Sequence, residues 1–83
     1  MALKAFLFTQ TGCLSCELMK LFLEAKGFAF EERDMSSDAA ARSELFETYH
    51  SHTAPTLVIF TPAGVEVIEG FEPYRLDRVL DAA

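Results

Sequence analysis

Hydrophobic positions along this chain alternate between two periods. Leu3–Thr9 carries Leu3, Phe6, Leu7 and Phe8 in a short dense run, the pattern of a buried strand. Thr11 and Gly12 interrupt it, and either can start the next element. Leu14, Leu18, Leu21, Phe22 and Ala25 then recur at helical spacing, the signature of a helix with one apolar face, until Gly27 stops it. Lys20 and Glu24 stand four apart and are expected to pair on its solvent side. Phe28–Asp34 returns to alternation and predicts a second strand.

Ser36 and Ser37 are N-cap candidates for a second helix over about 38–50, with Ala41, Leu45 and Tyr49 as its apolar stripe and Phe46 beside it. Pro55–Thr61 is a third strand built on Leu57, Val58, Ile59 and Phe60. Thr61-Pro62-Ala63-Gly64 is a turn. Val65–Glu69 alternates as a fourth, half-exposed strand, and Gly70 ends it. Pro73 suits the first turn of a last helix, with Leu76, Val79 and Leu80 inward. The order is β-α-β-α-β-β-α. Two strands flanking a helix should run parallel, and two joined by a tight turn antiparallel. The expectation is one α/β domain over residues 1–83, a mixed four-stranded sheet with helices on both faces.

Composition narrows the function. The net charge of −6, with only seven scattered Lys and Arg, leaves no basic stripe, so nucleic acid is not expected as a partner. No run approaches the roughly 18 apolar residues of a membrane span. A secretory signal is not recognised at the start of the chain. A cytoplasmic monomer is the expectation.

Both cysteines lie in one tetrapeptide, Cys13-Leu14-Ser15-Cys16, between the first strand and the first helix. A thiol at the start of a helix meets unpaired backbone N–H groups and the positive end of the helix dipole. Both favour the thiolate, the reactive form. Cys16 lies one turn further on, within reach of a disulfide to Cys13. Two cysteines so placed can be attacked, form a mixed disulfide and resolve it. A zinc site is the competing reading of such a pair; it would have to enlist His50 and His52, the other soft ligands in the chain. The plain reading of those histidines is two exposed residues at a helix end.

Thr53-Ala54-Pro55, at the start of the third strand, is the second signal. With an upstream CxxC it resembles the tripeptide of the thioredoxin superfamily whose proline is cis. Taken with Thr9 and Gly70-Phe71, it makes the chain similar to a glutaredoxin over nearly its whole length. Thioredoxins proper match less well, because they carry Trp beside the first cysteine, where this chain has Gly12. Within glutaredoxins the glutathione-binding positions depart. Gln10 and Thr11 stand where many members have Lys, Leu14-Ser15 where many have Pro-Tyr, and Gly70-Phe71 where many have Gly-Gly. Gly70-Phe71-Glu72-Pro73 instead resembles the Ser-Gly-Phe-x-Pro stretch of NrdH redoxins, with Glu69 in place of Ser and without the Val-Gln usual between the cysteines.

The resemblance implies a dithiol–disulfide oxidoreductase. Cys13 would be the nucleophile and Cys16 the resolving thiol. Gly12, Leu14, Thr53, Ala54, Pro55, Gly70 and Phe71 would shape the partner-binding edge, Phe71 as an exposed docking contact. No cofactor is implied beyond the reversible disulfide, and no metal. The implied partners are a disulfide-bearing protein, ribonucleotide reductase among them, and a thioredoxin-reductase-type flavoenzyme as reductant. A glutathione-dependent glutaredoxin is one alternative. A non-catalytic thioredoxin-fold binding or metal-carrying module is another.

Overall fold

A computed structural model describes residues 3–82. The elements follow the predicted order: β1 (Lys4–Thr9), α1 (Leu14–Ala25), β2 (Glu31–Asp34), α2 (Ala39–Glu47), β3 (Thr56–Thr61), β4 (Gly64–Glu69) and α3 (Pro73–Ala82). The sheet runs β2-β1-β3-β4. β1 and β2 are parallel, joined by the α1 crossover, while β3 lies antiparallel to both β1 and β4. This is the thioredoxin/glutaredoxin fold.

Side chains alternate across the two central strands and make two cores. On one face Ala5, Leu7, Leu57 and Ile59 pack with Ile68 against Met19 and Leu23 of α1 and Leu76 of α3. On the other, Phe6, Phe8 and Val58 pack against Ala41 and Leu45 of α2, with Met35 beneath. Burial on both faces explains why β1 and β3 read as continuous apolar runs. The Arg33 guanidinium lies over the rings of Phe6 and Phe8 and pairs with Glu44 at 2.9 Å, closing the second core from the β2 edge.

Two boundaries differ from the sequence reading for a local reason, and one ion pair forms with other partners. β2 begins at Glu31, not Phe28. The Phe28 N–H bonds to the Leu23 carbonyl and the Gly27 N–H to Glu24, a helix C-cap that needs a left-handed residue; Gly27 supplies it at φ +68°. α2 is capped by Asp38 rather than by a serine: its carboxylate accepts from the N–H groups of Ala40 and Ala41 at 3.0 and 3.3 Å. Lys20 reaches Glu17 and Glu32 instead of Glu24.

The largest difference is the rotation of α1. Cys16, Met19 and Leu23 face the core, while Leu14, Leu18, Leu21 and Ala25 face solvent. Phe22 lies between the two faces. The helix carries two apolar stripes, and the stripe bearing Cys16 is the one buried. Leu23→Ala is therefore expected to lower stability by about 2–5 kcal/mol, the cost of an emptied core site. Leu21→Ala should change it by less than about 0.5 kcal/mol. Urea unfolding of the oxidised protein checks both, and equal costs would mean the helix is wrongly oriented.

Candidate active site

β1 ends at Thr9, and the chain must turn sharply to start α1 over the sheet edge. Gly12 makes that turn at φ +74°, where a side chain would be strained even though open space surrounds it. The Thr11 N–H donates to Ser36 Oγ at 2.8 Å, tying this turn to the β2–α2 connection.

Cys13 is the N-cap of α1, in extended conformation, and not its first helical residue. Its Sγ accepts the Cys16 N–H at 3.1 Å. One of the orphan donors of the helix is thus aimed at sulfur. The two cysteines form a disulfide, with Cα atoms 5.2 Å apart. Cys13 is half-buried, whereas Cys16 is 1% exposed. Ser15 Oγ lies 3.5 Å from Cys13 Sγ. Leu14, between the cysteines, projects into solvent at 75% exposure.

The loop before β3 comes up against this sulfur. The Ala54 carbonyl oxygen is 3.9 Å from Cys13 Sγ, and the Ala54–Pro55 peptide bond is cis. Pro55 is buried, Ala54 half-buried and Thr53 exposed. The Gly70 N–H donates to the Pro55 carbonyl at 2.7 Å, which brings the end of β4 to the same place. Gly12, Cys13, Ala54, Pro55 and Gly70 thus converge from three connections. Phe71 does not stand out as an exposed contact. It is half-buried, edge-on to Phe22 of α1 at 5.9 Å, and belongs to the margin of the first core.

Two residues that sequence reasoning missed shape the loop. Ser51 and Thr56 are both buried, with hydroxyls 3.0 Å apart. Ser51 Oγ accepts the Thr53 N–H at 3.3 Å, and the Thr56 hydroxyl donates to the Thr53 carbonyl. Hydroxyls bracketing a proline turn by such local bonds were a usable signal in the sequence.

Lys20, on the helix that carries the cysteines, is committed elsewhere. The Lys20 ammonium lies 3.1 Å from Glu17 and 3.4 Å from Glu32, and Glu32 also accepts the hydroxyl of buried Thr9 at 2.7 Å. The bond to Glu17 raises the Lys20 pKa despite some desolvation, with Glu32 adding to it. Among the described residues no three His, Cys, Asp or Glu side chains gather as a metal site. His50 and His52 are exposed, and the His52 ring lies tilted against Phe46 with centroids 4.7 Å apart.

Against known proteins, the glutaredoxin family model matches residues 5–60. The chain belongs to the glutaredoxin family. Among solved structures, the thioredoxin-like protein BC3987 is 39% identical and superposes with a TM-score of 0.81 over 90% of this chain and 97% of that one. The glutaredoxin-like NrdH-redoxin from Escherichia coli is 24% identical, with a TM-score of 0.73 over 92% and 93% of the two chains. The Gene 56 protein of Mycobacterium phage D29 is 25% identical over 90% of this chain and 80% of its own length. A disulfide-forming pair at the helix start of this fold makes the glutaredoxin-family chain a thiol–disulfide oxidoreductase, with the intrinsic disulfide as its redox group.

Exposure and capping together rank the two thiols. After reduction, iodoacetamide at mildly acidic pH should label Cys13 at least tenfold faster than Cys16, read by peptide mass spectrometry. Faster labelling of Cys16 would reverse the ranking.

Proposed function

We propose that this oxidoreductase is an electron carrier of NrdH type. It takes electrons from a thioredoxin-reductase-type flavoenzyme and passes them to protein disulfides, with ribonucleotide reductase as the candidate substrate. The observation that carries the reading is the neutral stretch around the disulfide, together with the engagement of Lys20 by two acids. Glutathione presents two carboxylates, which need oriented donors to be held against their own hydration. No Lys or Arg lies between Phe6 and Glu17. Lys20, the nearest along the helix, is bound to two acids of the protein itself. Gly70 is followed by Phe71, whose ring packs on Phe22, so no paired glycine amides stand ready there. The likeness to a glutaredoxin-like protein described as having a thioredoxin-like activity profile agrees with this.

The chemistry is two thiol–disulfide exchanges. In the reduced protein the Cys13 thiolate is held by the Cys16 N–H and the helix N-terminus. It bonds to one sulfur of the partner disulfide, and the other partner sulfur leaves with the electron pair of the broken bond. Cys16 then attacks Cys13 Sγ, passes its proton to the departing thiolate and closes the ring. Two electrons reach the partner with two protons, one from Cys16 and one taken from water by the first sulfur to leave. Ala54 offers a backbone edge along which an extended partner segment can lie, and Pro55, with no N–H, leaves that edge unpaired. Gly12, Leu14, Thr53 and Gly70 border it.

Two measurements test the assignment. Cys16→Ser should accumulate a mixed disulfide with an insulin probe, while Cys13→Ser should form none. NADPH with thioredoxin reductase should drive insulin reduction at least tenfold faster than NADPH with glutathione and glutathione reductase. Glutathione-driven turnover that equals or exceeds the flavoenzyme route would make this an ordinary glutaredoxin.

A further inference from the structure

Helix α1 presents apolar residues on both sides. At 3.6 residues per turn, Cys16, Met19 and Leu23 point within roughly 60° of one another, and Leu14, Leu18, Leu21 and Ala25 fill a similar arc on the opposite side. The first arc is filled by the sheet and α3. The second has no partner: Leu14, Leu18 and Leu21 are 75%, 42% and 63% exposed. Scattered apolar residues on a surface are ordinary. The other large exposed ones, Phe46, Val65 and Tyr74, stand on three separate elements. Three leucines in line on one helix are a different matter.

The position of the line is what gives it meaning. It starts at Leu14, between the two cysteines, and runs about 10 Å down the helix to Leu21. Any partner whose sulfur reaches Cys13 already covers its first residue. One of its two flanks is acidic. Glu17 and Glu24 flank it on one side, and Glu17 shares Lys20 with Glu32. Among the described residues Glu24 has no ion pair, nor has exposed Glu69 beside the Pro55 loop.

We propose that Leu18 and Leu21 extend the redox site into a docking surface for one kind of partner. That partner is a disulfide-bearing protein segment with an apolar stretch bordered by Lys or Arg, lying along α1 away from the disulfide. The surface rests on the oxidoreductase reading and adds partner specificity to it. A small disulfide has nothing to place on these leucines. An extended tail of four or five residues spans the line. The acidic flank favours basic tails and speeds their encounter at low salt.

The test follows a single turnover, so it needs no reductase. The protein is reduced and desalted, then mixed with a peptide closed by one intramolecular disulfide. Cys13 and Cys16 give two electrons to the peptide, whose sulfurs take one proton from Cys16 and one from water, and the Cys13–Cys16 disulfide that forms is counted after an iodoacetamide quench. The peptide carries the tail Leu-Lys-Leu-Lys-Leu, or Leu-Glu-Leu-Glu-Leu, or serines alone. Hydroxyethyl disulfide is the small control. The Leu-Lys tail should raise the second-order rate constant about tenfold over serines, and the Leu-Glu tail by much less. Leu18→Gln with Leu21→Gln should abolish the gain and leave hydroxyethyl disulfide within about twofold of the parent. Glu24→Gln should narrow the difference between the Lys and Glu tails.

Equal rates for all tails, with normal reduction of hydroxyethyl disulfide, would overturn the docking surface alone. A double variant slowed equally on both substrates would overturn it too, because the leucines would then be acting through the fold. If sedimentation shows the parent to be a dimer that the double variant abolishes, a second copy covers the line and the proposal fails. A parent that reduces no disulfide would remove the oxidoreductase reading itself, and the surface with it.

Discussion

A single hydrogen bond, from the Cys16 N–H to Cys13 Sγ, is the point on which fold and chemistry both turn. A helix must satisfy its first N–H groups with something. Serine, threonine, asparagine and aspartate do so elsewhere, as Asp38 does for α2. At α1 the acceptor is sulfur. The atom that caps the helix is therefore also the atom that reacts, and whatever fixes the helix start fixes the nucleophile. The Gly12 turn before it, the Thr11–Ser36 bond beside it and the buried Cys16 side chain after it all serve that one placement.

The second half of the site is positioned by the sheet. β3 is a central strand, and its first residues are held from both sides. Gly70 grips the Pro55 carbonyl from the end of β4, and Ser51 and Thr56 brace the loop from within. The Ala54 carbonyl therefore meets Cys13 as a consequence of strand register: Phe8 opposes Thr56 in β1–β3, and Thr56 opposes Glu69 in β3–β4. Neither the loop nor the helix start depends on any long side chain.

Much of this could be read in the sequence, because it is carried by local signals. The paired cysteines between a strand and a helix and the proline turn of the hairpin state their own conformation, while Thr-Ala-Pro speaks only through its resemblance to the superfamily tripeptide. The rotation of α1 could not be read. Leu14, Leu18 and Leu21 are the more apolar stripe, and periodicity alone assigns them to the core. What overrides it is tertiary: the chain enters α1 from the end of β1, with Cys13 at the rim, and this turns Cys16, Met19 and Leu23 toward the sheet. Phe71 misled for a related reason. Beside Gly70 it looks like a loop contact, yet its ring lies edge-on to Phe22 at the margin of the first core. Lys20 pairs with Glu17 on its own helix and with Glu32 on another element, and the second partner is one that spacing cannot express.

Exposed leucines on a protein of this size raise the question of self-association, and the strand β2 bears on it. One edge of the sheet is Glu31-Glu32-Arg33-Asp34, four charged residues in a row. The other edge, β4, turns Glu66 and Glu69 to solvent. Open edges invite strands from other molecules, and charges along them make that pairing costly. The apolar line on α1 has its backbone bonds already used within the helix, so it cannot recruit strands. Stickiness and templating are thus kept on different parts of the molecule. Contacts made through the leucines stay side-chain contacts, which can be released when exchange is over, and they do not open a route to fibres.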